Sequence, residues 1–190
     1  MSKLKIYELM PSTWNLPETS LRQKSQNVDI SDLQKTWFKN LLVDMFETLY
    51  STPSGVGLAA PQIGVQLKIV VIDIRRDGKK PLVLINPKYT PVTDDLVLSN
   101  EGCLSVPKVH GIVSRYESIE VEYYDATGQL VKKVVNGFES KVFQHEIDHL
   151  YGILYIDKLA PNTELQEDLG HPNFVANNAI KKIYKEITNE

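Results

Sequence analysis

The run His145-Glu146-Ile147-Asp148-His149 is the densest concentration of reactive side chains in the sequence. On a helix, histidines four residues apart project within ~40° of each other and lie about 6 Å apart along the axis, so both imidazoles can face one ion. The glutamate is rotated about 100° from His145, which borders the ion with a carboxylate placed to act as a general base. With 4 histidines in 190 residues, composition alone yields this pattern with a probability on the order of 0.006. The competing reading is an ordinary helix with two solvated or hydrogen-bonded histidines.

Catalytic sites of this kind usually have three protein ligands and keep one position for water. The zinc-peptidase pattern H-E-x-x-H-x-x-G-x-x-H is matched as far as Gly152, but its final histidine is Tyr155 here, a poor ligand. A downstream glutamate would be Glu164 or Glu167, in a polar stretch without the apolar period of a packed helix. The remaining candidate is the single cysteine, within Glu101-Gly102-Cys103-Leu104-Ser105. A lone cysteine is most often a small buried apolar residue. Here Gly102 permits an unusual backbone at the approach, and a thiol beside a divalent cation is deprotonated. A set of Cys103, His145 and His149 with water in the fourth place accounts for both features.

A third segment, Gly55-Val56-Gly57-Leu58-Ala59-Ala60-Pro61-Gln62-Ile63-Gly64, begins like a dinucleotide-binding fingerprint. That fingerprint needs a strand before it and a helix after it. Here a helical pattern precedes it and Pro61 follows. The small residues either let the backbone approach something closely, with Gln62 offering an amide donor, or form a tight turn over a core edge.

The elements that must position these groups read as an α+β domain of mostly antiparallel or mixed sheets packed around the central H-E-x-x-H helix, with N-terminal and C-terminal helices. Ser31-Asp32-Leu33-Gln34 has capping-box spacing, and Leu33, Trp37, Leu41, Met45 and Leu49 recur every four residues until Ser51-Thr52-Pro53, predicting an amphipathic helix whose stripe is core. Residues 67–74 and 82–85 are β-branched runs bounded by Gly78 and Pro87, and residues 118–123 and 130–135 form a hairpin around 125–128. In the central helix Phe138, Val142, His145 and His149 share a face, and Gly152 ends it. Residues 174–187 place Ile180, Ile183, Tyr184 and Ile187 at helical spacing, with Lys181, Lys182 and Lys185 on other faces. The first thirty residues, broken by Pro11 and Pro17, are expected to lie extended over the surface.

Composition supplies bounds. A hydrophobic content of 42% over 190 residues is enough for one domain spanning 1–190 without disulfides. A formal net charge of -3 with interspersed signs gives no field to draw DNA or an anionic membrane. The single thiol calls for no oxidising compartment, and neither a leader pattern nor a membrane span is present in the sequence. These features predict a soluble cytoplasmic protein; no long apolar stripe asks for a partner, so a monomer is expected.

Taken together, Gly55-Val56-Gly57-Leu58-Ala59-Ala60-Pro61-Gln62, Glu101-Gly102-Cys103-Leu104-Ser105 and Gln144-His145-Glu146-Ile147-Asp148-His149-Leu150 resemble, in order and rough spacing, the three signature motifs of peptide deformylases. The looser resemblance runs from Leu21-Arg22 through Asp157. It implies hydrolysis of the formyl group from N-formylmethionyl peptides, releasing formate. Cys103, His145 and His149 would hold one divalent ion, Fe2+ in most members, with Zn2+, Ni2+ or Co2+ able to occupy the site. Glu146 would serve as acid and base, Gln62 and the Leu104 N–H as oxyanion donors, and Gly57 as a contact to the substrate backbone. Glu101 is expected to pair with Arg115 to hold the cysteine loop. Tyr116 and Lys141 depart from the family pattern without touching the ligand set. The C-terminal helix resembles that of the bacterial subgroup, in which a basic tail can dock on the ribosome. The competing functions are a zinc peptidase that uses the same helix without Cys103, and a metal-stabilised binding module closed by a fourth ligand such as His110.

Overall fold

The structure, a computed structural model, describes residues 4–8, 20–74 and 80–167. Strands β1 (Gly57–Ala59), β2 (Ile69–Ile72), β3 (Leu82–Pro91), β6 (Ser118–Tyr124) and β7 (Leu130–Asn136) form a five-stranded antiparallel sheet in the order β1-β2-β3-β6-β7. Strands β4 (Leu96–Cys103), β5 (Val106–Tyr116) and the short β8 (Gln166–Glu167) form a second sheet in the order β4-β5-β8. Helix α1 spans Thr36–Tyr50 and α2 spans Gly137–His149. This is the expected α+β arrangement.

The larger sheet is covered on both faces, which explains why β2 reads Ile69-Val70-Val71-Ile72 without a polar break. Successive side chains point to opposite faces. Ile69 and Val71 join Leu58, Phe38, Met45 and Leu49 in the core under α1, while Val70 and Ile72 join Val121, Phe143 and Ile147 under α2. Strand β6 alternates for the opposite reason: Ile119, Val121 and Tyr123 are buried, and Glu122 turns outward to Lys88. Helix α2 is therefore held by apolar contacts along one side and is free to present the other to the second sheet.

Several expected boundaries move. No helix starts at the Ser31 capping box: Asp29 accepts from the Ser31 N–H at 2.9 Å and caps a short 3-10 turn instead. Helix α1 begins only at Thr36, so Leu33 falls outside its phase. Trp37, expected in the core stripe, is 43% exposed, and Phe38 is fully buried in its place. Strand β3 runs through Pro87 rather than stopping before it, because the pairing register shifts between Ile85 and Lys88, and the bulge relieves the proline of a ladder hydrogen bond. Asn86 takes a left-handed backbone there, and its side chain bonds both the N–H and the carbonyl of Val28. The segment before α1 is correspondingly less superficial than expected, with Leu21, Ser25 and Val28 buried. The β4–β5 hairpin has no counterpart among the predicted strands. The C-terminal helix expected over 174–187 lies outside the described residues.

Candidate metal centre

Helix α2 carries the histidine pair against the hairpin that carries the cysteine. The imidazoles of His145 and His149 lie with ring centroids 5.1 Å apart, edge to face. The β4–β5 register shifts between Gly102 and Cys103, so Cys103 pairs with Val106 across a two-residue turn of Leu104 and Ser105. This irregularity aims the sulfur at the helix. Cys103 Sγ is 3.4 Å from His149 Nε2, and one ligand atom from each of Cys103, His145 and His149 lies within 4.8 Å of the others.

The surroundings suit a cation held by a thiolate and two imidazoles. The Ser105 N–H points at the sulfur at 3.4 Å, and Gln62 Nε2 lies 3.7 Å from it. The Gln62 amide is oriented by the Ala59 N–H, which donates to its Oε1 at 2.8 Å, and by Ser105 Oγ, which accepts from its Nε2 at 3.2 Å. His145 Nδ1 meets Glu101 Oε2 at 2.8 Å, which fixes the ring and turns Nε2 toward the sulfur. His145 also stacks on Tyr155. Burial holds His149 well below its ordinary value, and repulsion from His145 and Arg115 lowers it further, so its ring is neutral and able to ligate. Burial alone would lower His145 too, but Cys103 and Glu101 outweigh it and raise it well above the ordinary range. Negative partners that favour a proton at that position favour a cation there equally.

Glu146 is buried at the edge of this group. Its Oε2 has no hydrogen-bond partner among the described residues. Burial, together with repulsion from Glu101, pushes its carboxyl up to about 7 despite the cationic pull of His145 and Arg115. Strand β1 passes so close that a Cβ on Gly57 would lie 2.6 Å from Glu146 Oε1. Any larger residue there would have to displace the carboxylate.

Arg115, 1% exposed, lies behind the ligands. Its Nε and Nη2 donate to the two oxygens of Glu101 at 2.9 and 2.8 Å, the pairing expected from the sequence. Burial would raise Glu101, but the bonds from His145 and Arg115 prevail and hold it at about 2. Gln144 ties α2 to the end of β5, accepting from the Tyr116 N–H at 3.0 Å and donating to the Tyr116 carbonyl at 2.8 Å. A cleft of about 660 Å³ opens over the group, and Gly57, Gln62, Cys103, Leu104, His145 and Glu146 all line it.

The profile of the polypeptide deformylase family matches residues 12–164, most of the chain. The chain belongs to this family. Among deformylases of known sequence, it is 40% identical over 174 residues to peptide deformylase 2 of Vibrio cholerae, covering 91% of this chain and 93% of that one. It is 41% identical over 145 residues to the peptide deformylase of Xylella fastidiosa, covering 76% and 84%. Solved deformylases share the fold. The enzyme from Thermotoga maritima superposes with a TM-score of 0.73 at 32% identity, covering 85% of this chain and 100% of its own. That from Synechococcus elongatus, in complex with actinonin, gives 0.71 at 37%, covering 84% and 80%.

The fold thus brings Cys103, His145 and His149 together beside Glu146, Gln62, Leu104 and Gly57, whereas Glu164, Glu167 and His110 are not among the clustered donors; His110 lines the cleft but faces Gln166 at 3.3 Å. Phe138, expected on the histidine face, lies at the cleft mouth and is 57% exposed. No helix among the described residues is long and apolar enough to cross a membrane. Sequence reasoning missed the partners of Asp148, namely Arg115, Tyr89 and Lys158. The signal was available in part: a charged residue between two ligands on a helix packed against a sheet must find counter-charges.

Proposed function

We propose that this deformylase hydrolyses the formyl amide of N-formylmethionyl peptides, releasing formate and a free α-amino group, at an ion held by Cys103, His145 and His149. The reading is carried by the convergence of those three ligand atoms beside a buried carboxylate whose Oε2 has no partner among the described residues. A divalent ion held by Cys103, His145 and His149 would supply Lewis-acid polarisation of the formyl carbonyl and a more acidic water. Glu146 takes a proton from the attacking water as its oxygen adds to the formyl carbon. It then passes that proton to the nitrogen as the C–N bond breaks, which a carboxyl near neutrality is suited to do. Gln62 Nε2 keeps one hydrogen on Ser105 Oγ, and the other, on its longer contact to sulfur, is available to the developing oxyanion. The Leu104 N–H is the second donor, and Gly57 offers its backbone to the peptide. Each such donor contributes ~3 kcal/mol in comparable sites.

The native ion in this reading is Fe2+, although a thiolate and two imidazoles also accept Zn2+, Ni2+ and Co2+. The enzyme acts as a cytoplasmic monomer on nascent chains, and its C-terminal segment, with Lys181, Lys182 and Lys185, docks on the ribosome. Co-sedimentation with ribosomes that is lost on deleting residues after Pro172 supports docking; unchanged co-sedimentation removes it. The activity itself is tested by formate release from a formyl-methionyl peptide, using anaerobically purified protein with metal analysis alongside. Glu146→Ala is expected to keep the ion and lose turnover; full turnover by that variant would overturn the reading.

A further inference from the structure

Asp148 is 3% exposed and has no part in the chemistry above, yet it precedes His149 directly and follows His145 by one helical turn. A buried carboxylate is tolerated only where donors replace its water, and here three converge. Arg115 Nη1 donates to Oδ2, Lys158 Nζ lies 2.9 Å from the same oxygen, and the Tyr89 hydroxyl donates to Oδ1 at 3.0 Å. Lys158 Nζ is also 3.5 Å from the Tyr89 hydroxyl. The donors come from separate elements: Tyr89 from β3, Arg115 from the end of β5, and Lys158 from the 3-10 turn Tyr155–Lys158 that follows α2. The far edge of Arg115 forks onto Glu101, and Glu101 in turn holds His145 Nδ1. An unbroken chain of polar contacts therefore joins Lys158 and Tyr89 to the imidazole of His145.

We propose that Tyr89 and Lys158 are positioning residues for the metal centre, acting through Asp148, Arg115 and Glu101 on the orientation of His145; this rests on the metal-dependent reading above. The charges explain how. Glu101 and Asp148 are two carboxylates sharing one guanidinium, and Lys158 supplies the second positive charge. Without Lys158 and the Tyr89 hydroxyl, Arg115 is the only remaining side-chain partner of Asp148 among the described residues, and the uncompensated carboxylate draws it away from Glu101. Glu101 then loses the fork that fixes it, and His145 loses the hydrogen bond that sets its tautomer and direction. Neither residue belongs to a segment resembling the family's signature motifs, and neither lines the cleft.

The test is ion release from the zinc-loaded holoprotein to a chromogenic chelator, followed in time for the parent, Tyr89→Phe, Lys158→Met, the double variant and Lys158→Arg, with kcat and KM measured alongside. Removing an outer partner of a ligand typically costs 10- to 100-fold in affinity or activity, and a contact two bonds further out is expected at the lower end. The double variant should release zinc roughly 10-fold faster and lose kcat by a similar factor at unchanged KM. Lys158→Arg, which keeps the positive charge beside Asp148, should match the parent in both. A purely structural role would lower the melting temperature and leave ion release alone, so release within twofold of the parent overturns the proposal. Should the double variant fail to fold, Tyr89→Phe removes a single oxygen and is judged by the same criterion. Failure of the underlying reading looks different: the parent would bind less than one zinc per chain, or Cys103→Ala would release zinc at the parental rate.

Discussion

Replacing Gly57 by alanine adds one methyl group at the closest approach of strand β1 to the proposed general base. The new Cβ would lie 2.6 Å from Glu146 Oε1 and 2.7 Å from both its Cδ and Cγ. Carbon contacts are comfortable at about 3.5 Å, so against Cδ and Cγ one partner must yield by roughly 0.8 Å. Strand β1 cannot readily yield, since it is paired with β2 through three registered residues and its neighbours Leu58 and Ala59 are fully buried. The Glu146 side chain must move instead. A misplacement of about 1 Å in a reacting group costs on the order of 100-fold in rate, equivalent to about 2.7 kcal/mol of barrier. The ligands are untouched, so metal content should stay at the parental level. The assay is kcat for formate release from a formyl-methionyl peptide, with metal analysis on the same sample. A Gly57→Ala variant with full metal content and kcat within threefold of the parent would refute the claim that this contact positions Glu146.

Cys103→Ala should reduce bound metal to a small fraction of one ion per chain by elemental analysis; retained metal and activity would instead favour a peptidase using only the helix. Arg115→Met leaves Glu101 and Asp148 buried without their shared cation, and urea unfolding should show a loss of roughly 3 to 5 kcal/mol. The Glu101 carboxyl lies at about 2 in the fold against an ordinary 4.5. A depressed folded value means that its stabilisation is fully present above about 4.5 and is lost as the pH falls toward 2. Thermal melts of the parent should therefore fall more steeply across that window than those of Glu101→Gln, and parallel curves would contradict the assignment.

The site was legible in the sequence because its donors are rare residue types at fixed helical or turn spacing: the H-E-x-x-H pair, one cysteine beside a glycine, and Gln62 in a run of small residues. Helix α2 and the β6–β7 hairpin were legible for the same reason, since one carries the histidine period and the other alternates cleanly about the turn at 125–128. The β4–β5 hairpin was not. Strand β4 is half-buried along most of its length and shows no two-residue alternation, while β5 contains Pro107, a left-handed Lys108 and Gly111. Propensity also could not choose between Trp37 and Phe38 as the core residue of α1, because that depends on where the helix starts. The contacts of Asp148 with Tyr89, Arg115 and Lys158 left no local trace either. Tyr89 is 59 residues from Asp148 and Arg115 is 33 away, so only the packing of β3, β5 and α2 reveals them.

The most direct measurement is the near-ultraviolet absorption of the cobalt-substituted protein, where a thiolate bound to the ion gives a sulfur-to-cobalt charge-transfer band. The parent should show that band at one cobalt per chain, Cys103→Ser should lose it, and Glu146→Ala should keep it. A parent that binds one cobalt without the band would contradict a centre built from Cys103 together with His145 and His149.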